Sequence, residues 1–305
     1  ICGPSRNSFM SGRRIGTTLA WNFEESFRTS VLPSGSSGGG TTWKSVPQHF
    51  KESGWLTAGG GKTYHEGLPA NFDSPWSWTE PTVGTNKPFS YLPPHYPASS
   101  GGSTYQVCCQ QPFDPETGCV HVADAGGGYC KVDNENDIFD YVLANHTIST
   151  MELAHTTGKP WMIYAGFKKP HAPWGSPTRM YDLYEPLETK VRLPKNQFRP
   201  KRSPNVASIG DCFLRLDNGT CDDIYPWGPD QAAPDYVVLR NRQAYYAAVS
   251  HVDEQVGRVM DALRRLGLRN DTMVLMHSDH GYTLGEHNEW EKKTNFELAA
   301  RVPLV

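Results

Sequence analysis

Over residues 241–266 the apolar positions are Tyr245, Val249, Val252, Val256, Val259, Leu263 and Leu266, spaced alternately by four and three. At 3.6 residues per turn this spacing gathers them on one stripe and predicts an amphipathic helix. Gly267 follows and is placed to cap it. A second helix is predicted over 133–156, with Ile138, Val142 and Ile148 on one face. Two short apolar runs, 160–166 and 272–277, lack polar alternation and are predicted as buried strands. Helix, tight turn and strand in that order predict an α/β fold around a buried sheet. The remaining stretches differ in kind. Residues 28–42 are rich in Ser and Gly and predict a flexible loop inside the domain. Residues 68–130 and 170–234 are dense in Pro, Gly and Trp and predict irregular excursions.

Composition narrows the class. A chain of 305 residues holds one large domain or two smaller ones, and a net charge of −3 argues against a nucleic-acid binder. A local basic pocket for an anionic substrate remains compatible with that balance. The longest apolar run, 161–167, is far short of the roughly 20 residues of a membrane span. The chain starts Ile-Cys-Gly-Pro and stops inside a strand-like Arg-Val-Pro-Leu-Val, so both ends are expected to be cuts in a longer protein.

Seven cysteines change the picture further. Cys2 stands apart; Cys108, Cys109, Cys119, Cys130, Cys212 and Cys221 cluster in the two irregular regions. An even six suits disulfides. Cys212 and Cys221 flank the turn signal Asp217-Asn218-Gly219 and are the easiest pair to close, while the connectivity of the other four stays open. Three glycosylation sequons begin at Asn145, Asn218 and Asn270. Together they predict a secreted or lysosomal location.

Four segments carry candidate chemistry. Cys2-Gly3-Pro4-Ser5-Arg6 is followed by Ser11-Gly12-Arg13. Gly61-Lys62-Thr63-Tyr64-His65 ends like a phosphate loop, but Leu56 stands where that motif needs its first Gly, so the P-loop reading fails. A Lys and a His three apart can still serve one pocket. Lys168-Lys169-Pro170-His171-Ala172-Pro173 follows the predicted 160–166 strand, and sites in open α/β sheets gather beyond the carboxyl ends of strands. His171, held between prolines there, suits proton transfer. Ser278-Asp279-His280-Gly281 follows the other strand and runs on through Leu284-Gly285-Glu286-His287 to Trp290 and Lys292. Asp279 offers the hard oxygen that Ca²⁺ prefers; His280 is a softer neighbour.

These segments resemble the formylglycine-dependent sulfatase family, and the S-D-H-G-x-x-L-G-E-H-x-x-W-x-K run resembles its iduronate-2-sulfatase branch. The resemblance spans nearly the whole chain and is weakest over 68–130. Ser11-Gly12-Arg13 stands where the family usually has Thr-Gly-Arg, and His280 where arylsulfatases have Asn. It implies an alkaline-phosphatase-like fold: a mixed sheet flanked by helices, with residues 1–305 as part of the large catalytic domain and a C-terminal subdomain outside the chain. It implies Cys2 oxidised to formylglycine by a formylglycine-generating enzyme, and a Ca²⁺ ion held by Cys2, Asp279 and His280. Arg6 would orient the nucleophile, Lys62 and Lys292 would hold sulfate, and His171 and His65 would act as acid and base, in an order the sequence leaves open. His171 would also contact the substrate. Glu286 and His287 are expected to orient the loop. The implied substrate is a sulfated sugar, 2-O-sulfated iduronate in a glycosaminoglycan. Choline-sulfatase-like or arylsulfatase-like activity, or a non-catalytic binder of sulfated glycans, are the alternatives. A phosphatase on the same fold would want Ser or Thr at position 2.

Overall fold

The computed structural model describes residues 1–29, 43–65, 68–79, 129–132, 134–172, 174–198, 234–292 and 294–305. The chain divides into two compact units. One comprises Ile1–Tyr96, Phe139–Lys168 and Gln255–Val274; the other comprises Pro97–Ile138, Lys169–Glu254 and Leu275–Val305. Among the described residues the strands pair two by two, some parallel and some antiparallel, with helices beside them.

The first unit opens with helix α1 (Cys2–Ser11), the short α2 (Ile15–Thr18) and α3 (Val46–Glu52). Gly12 ends α1 with φ 65°, and the following amide closes back onto the Ser8 carbonyl. Ser45 caps α3, its hydroxyl accepting from the Gln48 amide, with Pro47 in the first turn. Strand β1 (Leu56–Gly61) follows; after β2 (Tyr129–Val132, in the second unit) come α4 (Phe139–Thr156) and β3 (Trp161–Gly166). β1 and β3 run parallel, in register from Leu56 opposite Trp161 to Gly61 opposite Gly166, and α4 packs on both. The α4 helix begins at Phe139, not at 133, because Glu135–Asp137 form a 3₁₀ turn capped by Asn134. Leu143 and Met151 point from α4 into the core, the latter beside Ala262 and Leu263.

In the second unit β2 pairs in parallel with β4 (Trp174–Pro177), followed by α5 (Thr178–Asp182) and α6 (Leu187–Lys190). The described part of 170–234 is thus more ordered than its proline content predicts. The core here is aromatic: Trp174, fully buried, meets Tyr245 edge-on at 5.9 Å and Tyr282 at 6.0 Å. Strands β5 (Thr283–Leu284) and β6 (Trp290–Glu291) form a small hairpin, and α8 (Glu297–Ala300) lies near the chain end.

Helix α7 (Asp235–Arg265) supplies its early turns to the second unit and its last turns to the first. It starts before residue 241, and Gly267 takes φ 73°, as predicted for the cap. Its most buried residues are Ala244, Ala247, Ala248, His251, Gln255 and Ala262, while Val249 is 39% exposed. The buried stripe is therefore turned from the valines onto an alanine face, while Tyr245, Leu263 and Leu266 of the predicted stripe do pack in the core. The segment 272–277 is not a buried strand. Met273 is 93% and Leu275 64% exposed, and the segment makes one bridge, His277 to Leu304, flanked by Met276–Val305 hydrogen bonds.

Candidate active site

The candidate residues divide between the two units. In the first, Cys2 starts α1 and is 2% exposed. The helix is anchored by Asn7, whose amide donates to the Gly3 carbonyl at 2.9 Å and whose oxygen accepts from the Phe27 amide at 2.9 Å. Ser11 donates to the Asn7 carbonyl at 2.6 Å, and the Arg13 guanidinium lies over the Trp43 ring.

Lys62 is the first residue past β1. Its amide donates to the Gly166 carbonyl at 2.6 Å, which sets the direction of its side chain. Lys62 Nζ then reaches Cys2 Sγ at 3.7 Å, both groups buried. Arg6, one turn along α1, donates to the Thr63 carbonyl at 3.4 Å. His65 stacks on Phe23, ring centres 4.6 Å apart. Cys2, Arg6, Lys62 and His65 thus belong to one constructed corner, where a helix start meets the end of a strand.

Next to that corner, through Tyr64, is a polar cluster that no motif announces. Arg28 grips Asp73 through two hydrogen bonds of 2.8 Å and also donates to Gln48 and to the Trp43 carbonyl. Ser77 donates to Asp73 at 2.5 Å, and the Tyr64 hydroxyl lies 3.1 Å from Ser77 Oγ. Tyr64 is fully buried, so burial, reinforced by the Asp73 carboxylate, raises its phenol far above the ordinary value. Asn71, Phe72 and Asp73 all have positive φ, from 50° to 64°, a run that non-glycine residues rarely adopt.

The second unit holds the other candidates. His171 Nδ1 lies 2.6 Å from the Ala172 carbonyl, which can only accept, so Nδ1 carries the proton. Nε2 then accepts from Lys292 Nζ at 3.1 Å. His171 and Lys292, 121 positions apart, form one pair. His280 is fixed in the same tautomer: Nδ1 donates to the Gly281 carbonyl at 2.8 Å. Its Nε2, the electron-pair donor in that tautomer, lies 3.8 Å from Asp279 Oδ1. A carboxylate and an imidazole so prepared fit a divalent cation. Gly281 permits this turn, since a Cβ there would sit 1.9 Å from the Leu298 oxygen.

The sulfatase family model matches residues 1–305. The chain belongs to the sulfatase family. It is 34% identical to iduronate 2-sulfatase of Mus musculus over 313 residues, covering 100% of the chain and 50% of that protein. It is 25% identical to choline-sulfatase of Rhizobium meliloti over 320 residues, covering 100% of the chain and 53% of that protein. Among solved structures, a phosphonate monoester hydrolase from Silicibacter pomeroyi superposes with a TM-score of 0.61 at 20% identity. It is matched over 100% of the chain and 58% of its own length, a likeness of fold. The chain spans about half the length of the relatives it matches.

Within this sulfatase-family chain the departure at Ser11 is explained locally, because its hydroxyl closes the last turn of α1 onto Asn7. Glu286 accepts from the Leu284 amide at 2.6 Å and from Arg242 at 2.8 Å, so it shapes its own loop. The bridge expected between Cys212 and Cys221, the other clustered cysteines and the Asn218 sequon lie outside the residues whose side chains are described. Asn145 and Asn270 are exposed. No described helix is long and apolar enough to cross a membrane.

Proposed function

We propose that the protein containing this chain hydrolyses sulfate esters, with 2-O-sulfated iduronate at a glycosaminoglycan end as its substrate. The observation that carries the reading is Lys62 Nζ at 3.7 Å from Cys2 Sγ, a cation buried beside the residue at which the nucleophile is expected. Oxidised to formylglycine and hydrated, residue 2 offers two hydroxyls on one carbon, one to attack sulfur and one from which sulfate is later expelled. Asp279, His280 and the oxidised Cys2 would hold Ca²⁺, whose charge polarises the sulfate when bound. Lys62 and Lys292 offset the charge that builds on the sulfate oxygens. Arg6, tied to the Thr63 carbonyl, holds the start of α1 against the strand end.

Protonated at Nε2, His171 would give that proton to the sugar oxygen as the S–O bond breaks, while Lys292 keeps its charge for the sulfate. His65 accepts a proton from the second hydroxyl, which releases sulfate and restores the aldehyde. This order assigns acid to His171 and base to His65. Residues 1–305 are proposed as part of the large catalytic domain of a longer chain, with the remaining subdomain beyond them. The six clustered cysteines and the exposed Asn145 and Asn270 sequons support a lysosomal or secreted protein, on whose Cys2 a formylglycine-generating enzyme would act.

The test is to make the full-length protein in a secretory host. It is then assayed on 2-sulfated iduronide, choline sulfate and a nitrophenyl sulfate, with mass spectrometry of the Cys2 peptide. Turnover of the iduronide together with an aldehyde at residue 2 is the expected result. A preference for choline sulfate moves the substrate assignment, and unmodified cysteine in active enzyme overturns the nucleophile.

A further inference from the structure

The second unit contains a cavity of about 490 Å³, bordered by Lys190, Arg192, Lys195, Arg242, Tyr246 and Glu286 among others. Its volume lies within the range of small-ligand sites. Its charge is unbalanced: four permanent cations stand against the single carboxylate of Glu286. That carboxylate is already engaged by Arg242 at 2.8 Å. Arg242 is held further by donating to the Leu284 carbonyl at 3.0 Å and to the Tyr246 hydroxyl at 2.9 Å. The pair is therefore held in place and carries little net charge.

The remaining three cations stand on the rim, and the sequence shows why. In Lys190-Val191-Arg192-Leu193-Pro194-Lys195, Val191 and Pro194 are buried and Leu193 packs on the aromatic core. With those residues pinned inward, Lys190, Arg192 and Lys195 are all exposed. Among the described residues none of the three makes an ion pair. Glu286 and His287 border it from the Gly285–Asn288 turn, where Gly285, His287 and Asn288 all have positive φ and the His287 amide donates to the Asn196 carbonyl at 2.5 Å. That turn joins β5 to β6, and Lys292 follows β6.

We propose that this cavity is a binding subsite for a sulfate- or carboxylate-bearing sugar residue of an anionic oligosaccharide, one removed from the residue that is hydrolysed. The inference rests on the reading of a sulfated glycan substrate. Long, exposed side chains suit a polyanion whose charges repeat along a chain, since each contact is weak and screened by salt while several add together. Leu193 and Tyr246, both partly buried, also line the cavity.

The experiment uses full-length protein and a triple variant, Lys190→Ala, Arg192→Ala and Lys195→Ala. Two probes are compared: a heparin-derived hexasaccharide and a fluorogenic 2-sulfated iduronide. Exposed pairs of this kind are each worth a factor of a few, so the variant should bind the hexasaccharide roughly tenfold more weakly by calorimetry. Its turnover of the monosaccharide should stay within twofold, and the loss should shrink as salt rises. Unchanged hexasaccharide affinity overturns the subsite. So does equal loss on both probes, or equal binding of a desulfated hexasaccharide. If neither probe is hydrolysed by wild-type protein, the proposed activity fails, while the calorimetric comparison still decides the subsite.

Discussion

Lys62 and Gly166 face each other across the ends of two parallel strands: the Lys62 amide donates to the Gly166 carbonyl, and a Cβ on Gly166 would lie 2.5 Å from the Lys62 carbonyl carbon. The obstacle is backbone, which cannot rotate aside. Gly166→Ala is therefore expected to cost about 2–3 kcal/mol and to move Lys62 away from Cys2. Urea unfolding of the purified protein measures the first, and loss of sulfatase turnover beyond the stability effect measures the second.

Gly257 makes the opposite case. It lies inside α7, and a Cβ there would meet nothing within 4 Å. Gly257→Ala should stabilise the protein by roughly 0.5–1 kcal/mol by lowering the entropy of the unfolded chain. A thermal melt showing no rise would mean that the helix is strained at that turn.

Asp73→Asn would leave the Arg28 guanidinium, 11% exposed, without its counter-charge. Breaking a buried pair from one side costs about 3–5 kcal/mol. Replacing both partners, as in Arg28→Met with Asp73→Leu, should recover much of that. Equal destabilisation in single and double variants would show that Ser77 and Tyr64, not the charge, set the cost.

Tyr245 gives a pH signature. Burial, with the Glu286 carboxylate as a lesser cause, pushes its phenol up to about 12 from the ordinary value of 10.0. A raised acid pKa favours the neutral form in the fold. Its contribution is therefore complete below pH 10 and lost as pH rises from 10 through 12, by up to about 1.4 kcal/mol per pH unit. Unfolding curves between pH 9 and 11.5 should be flatter for Tyr245→Phe than for wild type. Parallel curves would place the alkaline sensitivity elsewhere, with Tyr64 next in line.

Lys62→Ala should lower kcat/KM for a sulfate ester by about 10²–10³ in the full-length protein, the scale for removing one group that stabilises transition-state charge. A loss of less than threefold would take Lys62 out of the sulfate contact.

The parts of this molecule readable from sequence were those set by local periodicity and by motif. Strand β3 and the Gly267 cap fell where the pattern put them, although β3 is only half-buried, and helix α4 starts six residues later than expected. The valines of α7 misled about the buried face, because alanines let a neighbour approach closely and burial followed closeness, not side-chain size. The run 272–277 is apolar enough for a buried strand, yet Met273, Val274, Leu275 and Met276 are exposed. The pairing of His171 with Lys292 joins distant motifs that each looked functional alone. Arg28, Asp73 and Ser77 carried no signal, since a buried polar network is specified by three-dimensional satisfaction and leaves no periodic trace.

On the proposed chemistry, the 2% exposure of Cys2 orders events in time. With α1 wound and Lys62 Nζ against the sulfur, the thiol is closed to a modifying enzyme. Oxidation of residue 2 would therefore come before folding, while the chain is still unstructured. A molecule that folded first would keep its thiol, and the ratio of the two rates would set what fraction of each batch becomes competent.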